Sequence, residues 1–142
     1  MPKLNYSIIA ISRCNSQFRS EKMAAFGLKS CHTGYILHIC HNPGISQDQL
    51  AQRIYINKSN VARQAAFLEE AGYITRTPSP SDKRIMELYP TEKAIELLPQ
   101  IRQILVEWET MLTEGLSQEE IETVSHILNK LRDRAGTWMN EH

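Results

Sequence analysis

The chain has 142 residues, of which 42% are hydrophobic, and its 16 basic residues are matched by 16 acidic ones. This length suits one domain with its own hydrophobic core, and a formal net charge of zero indicates no partner by itself. The apolar runs fall well short of the roughly 20 residues that span a bilayer, so we expect no membrane segment.

Helical periodicity dominates the first half of the chain. It predicts a first helix over about residues 5–25, ended by Gly27, and a second over about 30–41, ended by Asn-Pro-Gly. Ser46 and Gln49 form a capping box that begins a short third helix. Asn57 can cap a fourth helix over 57–71, which Gly72 ends. The third and fourth helices, a few residues apart, predict a helix-turn-helix.

Two β-compatible runs follow, "YITRT" and "RIMELY", on either side of the loop "PSPSDK". Runs of this kind around a Pro- and Ser-rich loop predict a hairpin. The order helix, turn, helix, hairpin is that of a winged helix-turn-helix. The fold class is therefore mainly α with a small β-wing, and the winged-helix lobe covers about residues 30–90.

Two long helices complete the chain. One should run from Thr91 to about Gly115, bent or interrupted at Pro99. The other opens with a capping box from Ser117 to Glu120. Its apolar stripe consists of Ile121, Val124, Leu128, Leu131, Ala135 and Trp138. Together with the first helix, these helices have more apolar surface than one small domain covers, so residues 1–27 and 91–142 are predicted to form a dimer interface.

The start of the fourth helix carries the side chains suited to reading a nucleic acid. In a helix-turn-helix, residues near the N-terminus of the second helix meet base edges. Arginine can bind guanine through two hydrogen bonds, amides can bind adenine, and Ser or Lys can contact phosphate. The candidates are Lys58, Ser59, Asn60, Arg63 and Gln64. The alternative is an ordinary solvated helix face.

The hairpin loop is the second candidate DNA contact. Its two prolines restrict its freedom, and Lys83 and Arg84 at its tip suit the negative potential of a minor groove. Arg76 joins the candidate DNA contacts, and residues 53–84 as a whole carry six bases against three acids. Asp82 is interpreted as a brace that accepts hydrogen bonds from Arg84 or Arg63. An exposed turn with incidental charges is the alternative.

The string "LAQRIYINKSNVARQAAFLEEAGYITRTPSPSDKRIMELYPTEKA" resembles the MarR (multiple antibiotic resistance regulator) family, and its most specific feature is Asp82-x-Arg84. The resemblance extends over nearly the whole chain. It implies an obligate homodimer, a palindromic operator and control by a ligand or an oxidant, with Asp82 bracing the wing and Arg84 entering the minor groove. The sequence departs from the family after the wing: where Leu-Thr-x-x-Gly is common, residues 90–94 read Pro-Thr-Glu-Lys-Ala.

Cysteines and histidines cluster in "CHTGYILHICH", which raises the question of a metal. Cys31 and His38 are seven helical residues apart, about 10 Å, which is too far for one ion, so we expect no metal and no cofactor. Cys14 falls outside the position at which relatives sense peroxide, near Ser7, and a plain helix cysteine is the default. Three unpaired cysteines and the lack of a secretory signal pattern favour reduced thiols in the cytoplasm.

The resemblance also implies an effector pocket between the DNA-binding lobe and the dimer helices. His38 and His41 lie on the face of the second helix away from its expected core face, and Arg13 and Trp108 could join them. A cation beside a titratable histidine would suit a small phenolic or acidic molecule.

Three classes of function can be compared. The leading hypothesis is a dimeric DNA-binding transcriptional regulator, a ligand-responsive repressor with helix 57–71 in the major groove and wing 77–86 in the minor groove. A winged-helix protein-interaction module is the alternative, supported by the neutral net charge. An enzyme is not expected, since no paired carboxylates, activated nucleophile or phosphate-binding glycine loop stands out.

Overall fold

The computed structural model describes residues 2–142. Within this range the chain forms six α-helices, one 3-10 turn and one antiparallel sheet with strand order β1-β3-β2. The elements are α1 Lys3–Met23, a 3-10 turn Ala24–Phe26, α2 His32–His41, β1 Ile45–Ser46, α3 Gln47–Ile54, α4 Lys58–Glu70, β2 Ile74–Pro78, β3 Met86–Pro90, α5 Glu92–Leu112 and α6 Gln118–Glu141.

Most helix ends lie where the capping signals predict them. Both halves of the capping box are present at Ser46, and again at Ser117. The Asn57 side chain accepts a hydrogen bond from the Asn60 backbone N–H and so caps α4. Gly27 and Gly72 take positive φ angles of 70° and 87°, a conformation that glycine adopts without strain. The order of the helices and the small antiparallel sheet confirm the winged-helix fold class.

Several boundaries differ from the prediction. Helix α1 ends at Met23 and passes into a 3-10 turn, and α2 begins at His32 rather than near residue 30. Strand β3 begins at Met86, so Arg84 belongs to the wing loop. Pro99 lies inside α5 without ending it.

Strand β1 was not predicted. Its two residues pair with β3, Ile45 opposite Leu88 and Ser46 opposite Glu87. A two-residue strand is too short to show any alternation in the sequence. This pairing joins the segment directly before α3 to strand β3 of the wing.

The hydrophobic core lies between α2, α3, α4, the sheet and the first half of α5. Its fully buried side chains include Tyr35, Ile36, Leu50, Val61, Leu68, Ile74, Leu88 and Ile101. Helix α1 contributes one buried residue, Met23, and α6 buries Gly136 alone. The lobe therefore has a complete core, whereas the apolar faces of α1 and α6 stay in contact with solvent.

Within residues 2–142, no helix combines the length and the apolar character that crossing a membrane would need.

Candidate nucleic-acid interface

The N-terminus of α4 presents a short set of exposed polar side chains. Asn57 holds this end, since its Oδ1 accepts hydrogen bonds from the backbone N–H of Asn60 at 2.8 Å and from the hydroxyl of Ser59 at 2.9 Å. Val61, Ala65 and Leu68 face the core. The opposite face leaves Lys58, Ser59 and Arg63 exposed and Asn60 half-buried. Four of the five predicted side chains thus lie at an accessible helix start.

Lys58 is paired across the helix-turn-helix. Its Nζ lies 3.3 Å from Asp48 Oδ2 on α3, and both side chains are largely exposed. Exposed ion pairs contribute little to stability because water competes for both charges. The ammonium can therefore leave Asp48 for a phosphate at little cost.

Gln64 is directed towards the protein, unlike the other predicted contacts on α4. Its Oε1 lies 2.8 Å from Nε2 of His32, a buried side chain of α2. The His32 ring also stacks on Phe67 at a centroid distance of 4.8 Å. The prediction that Gln64 reads a base therefore differs from its position, which joins α4 to α2.

The hydrogen bonds of His32 define its tautomer. The Lys29 backbone N–H donates to Nδ1 at 2.9 Å, so Nδ1 carries no proton and Nε2–H donates to Gln64. Burial lowers the pKa of His32 below its ordinary value of 6.5, although the hydrogen bond to Gln64 acts in the opposite direction. His32 is therefore a neutral link between the two helices, and its role was missed because nothing in the sequence marks Gln64 as its partner.

The tip of the wing holds an arginine braced by a carboxylate. Arg84 donates from Nε to Asp82 Oδ1 at 3.1 Å, from Nη2 to Oδ2 at 3.0 Å, and from its backbone N–H to Oδ1 at 3.0 Å. These hydrogen bonds lower the pKa of Asp82 and raise that of Arg84. The Arg84 side chain is nevertheless 90% exposed. Of the two partners that the sequence left open, the structure selects Arg84.

Backbone hydrogen bonds close the wing loop below that tip. The Ser79 N–H donates to the Ile85 carbonyl at 2.7 Å, and the Ile85 N–H donates to the Asp82 carbonyl at 3.0 Å. Ser79 is buried, and its hydroxyl lies 3.1 Å from that of Ser81. Pro78 and Pro80 lie on either side of Ser79, and Lys83 and Arg84 at the tip of the loop are exposed.

Arg76 is engaged at the base of the wing. Its guanidinium lies 3.1 Å from Glu69 Oε1 at the end of α4, and Nη1 donates to Gln47 Oε1 at 3.4 Å. Its backbone N–H also donates to Glu69. Arg76 therefore fastens β2 to α3 and α4, a different position from the free DNA contact that the sequence predicted.

Two of the four predicted effector residues, Arg13 and Trp108, lie on α1 and α5. Arg13 lines a shallow groove along α1 with Ile8 and Ser12. The Trp108 ring packs against Phe18 at a centroid distance of 5.4 Å.

The two histidines of that predicted pocket lie at the end of α2. His41 Nε2 lies 2.9 Å from Arg102 Nη2 of α5. His38 is half-buried, and burial, Arg53 and His41 lower its pKa. The cation beside His41 is therefore Arg102, which sequence reasoning missed, and Arg13 lies on α1.

The cysteines are free thiols. Cys14 is exposed, and Cys31 and Cys40 are half-buried, where burial raises the pKa of each thiol. Across the described range of 2–142, no three side chains of His, Cys, Asp or Glu come together as metal ligands.

Known proteins share both the sequence of the lobe and the fold of the chain. A family model described as the MarR family matches residues 26–85. Over 98 residues the chain is 35% identical to YybA of Bacillus subtilis, named as an HTH-type transcriptional regulator. This match covers 69% of the chain, which spans 65% of the length of YybA.

Solved structures extend the likeness to the flanking helices. The transcriptional regulator SlyA superposes with a TM-score of 0.93 at 27% identity over 97% of both chains. A protein from Listeria monocytogenes, crystallised with a 26-mer DNA, has a TM-score of 0.92 and covers 98% of this chain and 93% of its own. Its identity of 24% shows a shared fold alone.

The matched residues 26–85 contain the whole helix-turn-helix and the braced tip of the wing. The superposition with SlyA adds α1, α5 and α6 in the same arrangement. The chain therefore resembles the MarR family in the sequence of its lobe and SlyA in the fold of nearly its full length.

Proposed function

We propose that the protein is a DNA-binding transcriptional regulator that acts as a dimer. The observation that carries this proposal is the wing tip, where Asp82 orients a guanidinium that remains 90% exposed. A cation fixed in this way loses little freedom when it meets a phosphate or a narrow groove. The relatives point the same way, since YybA is named as a regulator and the Listeria protein of the same fold was crystallised with DNA.

In the proposed complex the N-terminus of α4 enters the major groove. Arg63 and Asn60 read base edges, and Lys58 and Ser59 contact phosphate. Lys83 and Arg84 approach the adjacent minor groove. Gln64 and Arg76 keep α4 and the wing in place, in accordance with their contacts to His32 and Glu69.

The exposed apolar faces of α1 and α6 support the dimer. Leu4 is 61% exposed on α1, and Leu128 is 47% exposed on α6. Large apolar side chains along two helices mark an interaction surface, and a twofold dimer presents two α4 helices to half-sites about 10 base pairs apart. The operator is then roughly palindromic.

Regulation by a small molecule completes the proposal. A phenolic or acidic effector that favours a lobe arrangement unsuited to the operator would release a repressor. A tenfold change in affinity needs about 1.4 kcal/mol of such coupling. His41 and Arg102, which contact each other at the junction of α2 and α5, are polar side chains that an acid could meet there.

Fluorescence anisotropy tests the regulator directly. The wild type is titrated onto duplex DNA from upstream of its own gene and onto a scrambled duplex, over a series of salt concentrations. Arg84→Ala should weaken operator binding by about 1–3 kcal/mol. It should also reduce the slope of the logarithm of the binding constant against the logarithm of the salt concentration by about one. Arg132→Ala is the matched control, since Arg132 is also an exposed arginine paired with a neighbouring aspartate, Asp133, but lies on α6.

Asp82→Ala separates bracing from simple charge. It removes a negative charge from the interface, yet it should weaken binding because Arg84 loses its fixed orientation. Tighter binding by Asp82→Ala would refute the brace. Equal and salt-insensitive binding to both duplexes by the wild type would favour the protein-interaction module, which the zero net charge allows.

A further inference from the structure

The turn between α3 and α4 contains a strained aromatic residue. Tyr55 caps the C-terminus of α3 with φ 59° and ψ 42°, in the left-handed region. Among residues 2–142 it is the one non-glycine residue with a positive φ. Glycine or asparagine normally occupies such a position because a side chain there strains the backbone. A bulky side chain at this point needs a compensating contact.

The compensating contact is with a glycine of α6. A Cβ placed on Gly136 would lie 2.8 Å from Tyr55 Cε1, which is closer than two carbon atoms approach each other, and 3.5 Å from the Tyr55 hydroxyl oxygen. Glycine is unfavourable inside a helix, yet Gly136 is the one residue that α6 buries. Two residues that are locally unfavourable thus contact each other.

Open space flanks the contact on two sides. A cleft of about 410 Å³ lies between the helix-turn-helix, at Ala51 and Ile56, and the end of α6, at Trp138 and Met139. A second cleft of about 290 Å³ lies between Tyr55 and the α6 residues Arg132 and Ala135. The Tyr55 ring on Gly136 is therefore a narrow point of support between the DNA-binding lobe and α6.

Tyr55 is also connected to α4 through a hydrogen-bonded turn. The Ile56 backbone N–H donates to the Ala51 carbonyl at 3.1 Å, and Asn57 then caps α4. Lys58, the first residue of α4, is three positions after Tyr55. A displacement of the tyrosine ring relative to α6 is thereby passed to the start of α4.

We propose that Tyr55 is a positioning residue whose contact with Gly136 sets the separation between α4 and α6, and through it the spacing of the two DNA half-sites that the dimer accepts. This inference rests on the proposed function, since the spacing exists only for a dimer bound to DNA. The contact is the support against which each lobe is held at its angle to the dimer helices.

A double-mutant cycle with Gly136→Ala and Tyr55→Gly tests the inference. Binding is measured by fluorescence anisotropy, at fixed salt, on duplexes in which a spacer of variable length separates the two half-sites of the operator. Sedimentation checks that each variant is still a dimer. Tyr55→Gly removes the ring and keeps the left-handed turn unstrained. Gly34→Ala is the matched control, because a Cβ on this helical glycine would meet only Ile54, at 3.9 Å.

The wild type and Gly34→Ala should prefer the same single spacer. Gly136→Ala should bind that spacer at least tenfold more weakly and lose or shift the preference, because the new methyl group displaces the ring. Tyr55→Gly should accept several spacers similarly. In the Tyr55→Gly background, Gly136→Ala should have no further effect.

Two results would overturn the inference. One is a wild-type spacer profile in both Gly136→Ala and Tyr55→Gly, and the other is the same effect of Gly136→Ala with and without the ring. If Gly136→Ala does not dimerise, Tyr55→Gly alone decides through its spacer profile. If the wild type binds no duplex better than scrambled DNA, the proposed function itself is wrong. If the wild type binds its operator specifically but the variants keep the wild-type spacer profile, only the inference about Tyr55 is wrong.

Discussion

The winged-helix lobe and the long helices α1 and α6 bury their apolar side chains to very different extents. In the lobe, leucines such as Leu50, Leu68 and Leu88 are completely buried. On α6, Val124 and Leu128 point along one stripe and are about half exposed, at 48% and 47%. Both sets follow helical or strand periodicity in the sequence, so periodicity alone identifies a face to be covered and does not say what covers it.

This difference separates the stability of the folded lobe from the stability of the association between chains. The lobe can bury its own core within one chain, whereas α1 and α6 need a second surface of comparable length. In the proposed dimer that surface is the same pair of helices on another copy. Substitutions in the lobe should then act on folding, and substitutions on the α6 stripe on association.

The largest expected effect is on association. Leu128→Glu places a charge in the proposed interface, and we expect the dissociation constant of the dimer to rise at least about 1000-fold, or about 4 kcal/mol. Analytical ultracentrifugation over a range of concentrations measures it. Asn129→Glu introduces the same charge at an adjacent exposed position of α6. If both variants dimerise equally well, the α6 stripe is not the interface.

The second effect is on folding of the lobe. Leu68→Ala should lower the free energy of unfolding by about 2–5 kcal/mol, because Leu68 is fully buried and truncation leaves a cavity. Urea unfolding followed by circular dichroism measures it at a fixed protein concentration. Ile95→Ala is the control, since Ile95 is 54% exposed and its truncation should change stability by less than about 0.5 kcal/mol. A cost at Leu68 no larger than at Ile95 would contradict a complete core.

The smallest effect concerns pH. Because burial lowers the pKa of His32 in the folded state, the unfolded chain binds its proton first as pH falls. The stabilisation is complete above the ordinary value of 6.5 and is lost as pH falls below it, by less than about 1.4 kcal/mol per pH unit for this one group.

Urea unfolding between pH 7.5 and 5.5 measures this dependence. His32→Gln should flatten it in part, and the rest belongs to His38, whose pKa burial also lowers. A protonated His32 would also lose the hydrogen bond that Nδ1 accepts from the Lys29 N–H. Identical slopes for the wild type and His32→Gln would show that His32 keeps its ordinary pKa in the folded protein.

Local signals in the sequence were sufficient for most of the fold. The capping residues Ser46, Asn57 and Ser117 act within three residues of their own positions, and their hydrogen bonds are present as predicted. Gly27 and Gly72 likewise have the positive φ angles that are expected of glycines at helix ends. The order of elements, and with it the winged helix, follows from such short-range rules.

The site was less predictable because it depends on distant partners. Nothing near Gln64 in sequence announces that its amide meets His32, 32 residues away. Arg76 has the charge expected of a DNA contact, but Glu69 and Gln47 come within hydrogen-bonding distance of it only in the folded protein. The same holds for Tyr55, whose ring lies against Gly136 on the last helix.

The brace at the wing tip is the opposite case, since all its hydrogen bonds lie within residues 82–84. It uses no core residue, no other helix and no second chain. Such a three-residue unit is portable: transferred to a hairpin of the same length in another scaffold, it should present an oriented arginine there.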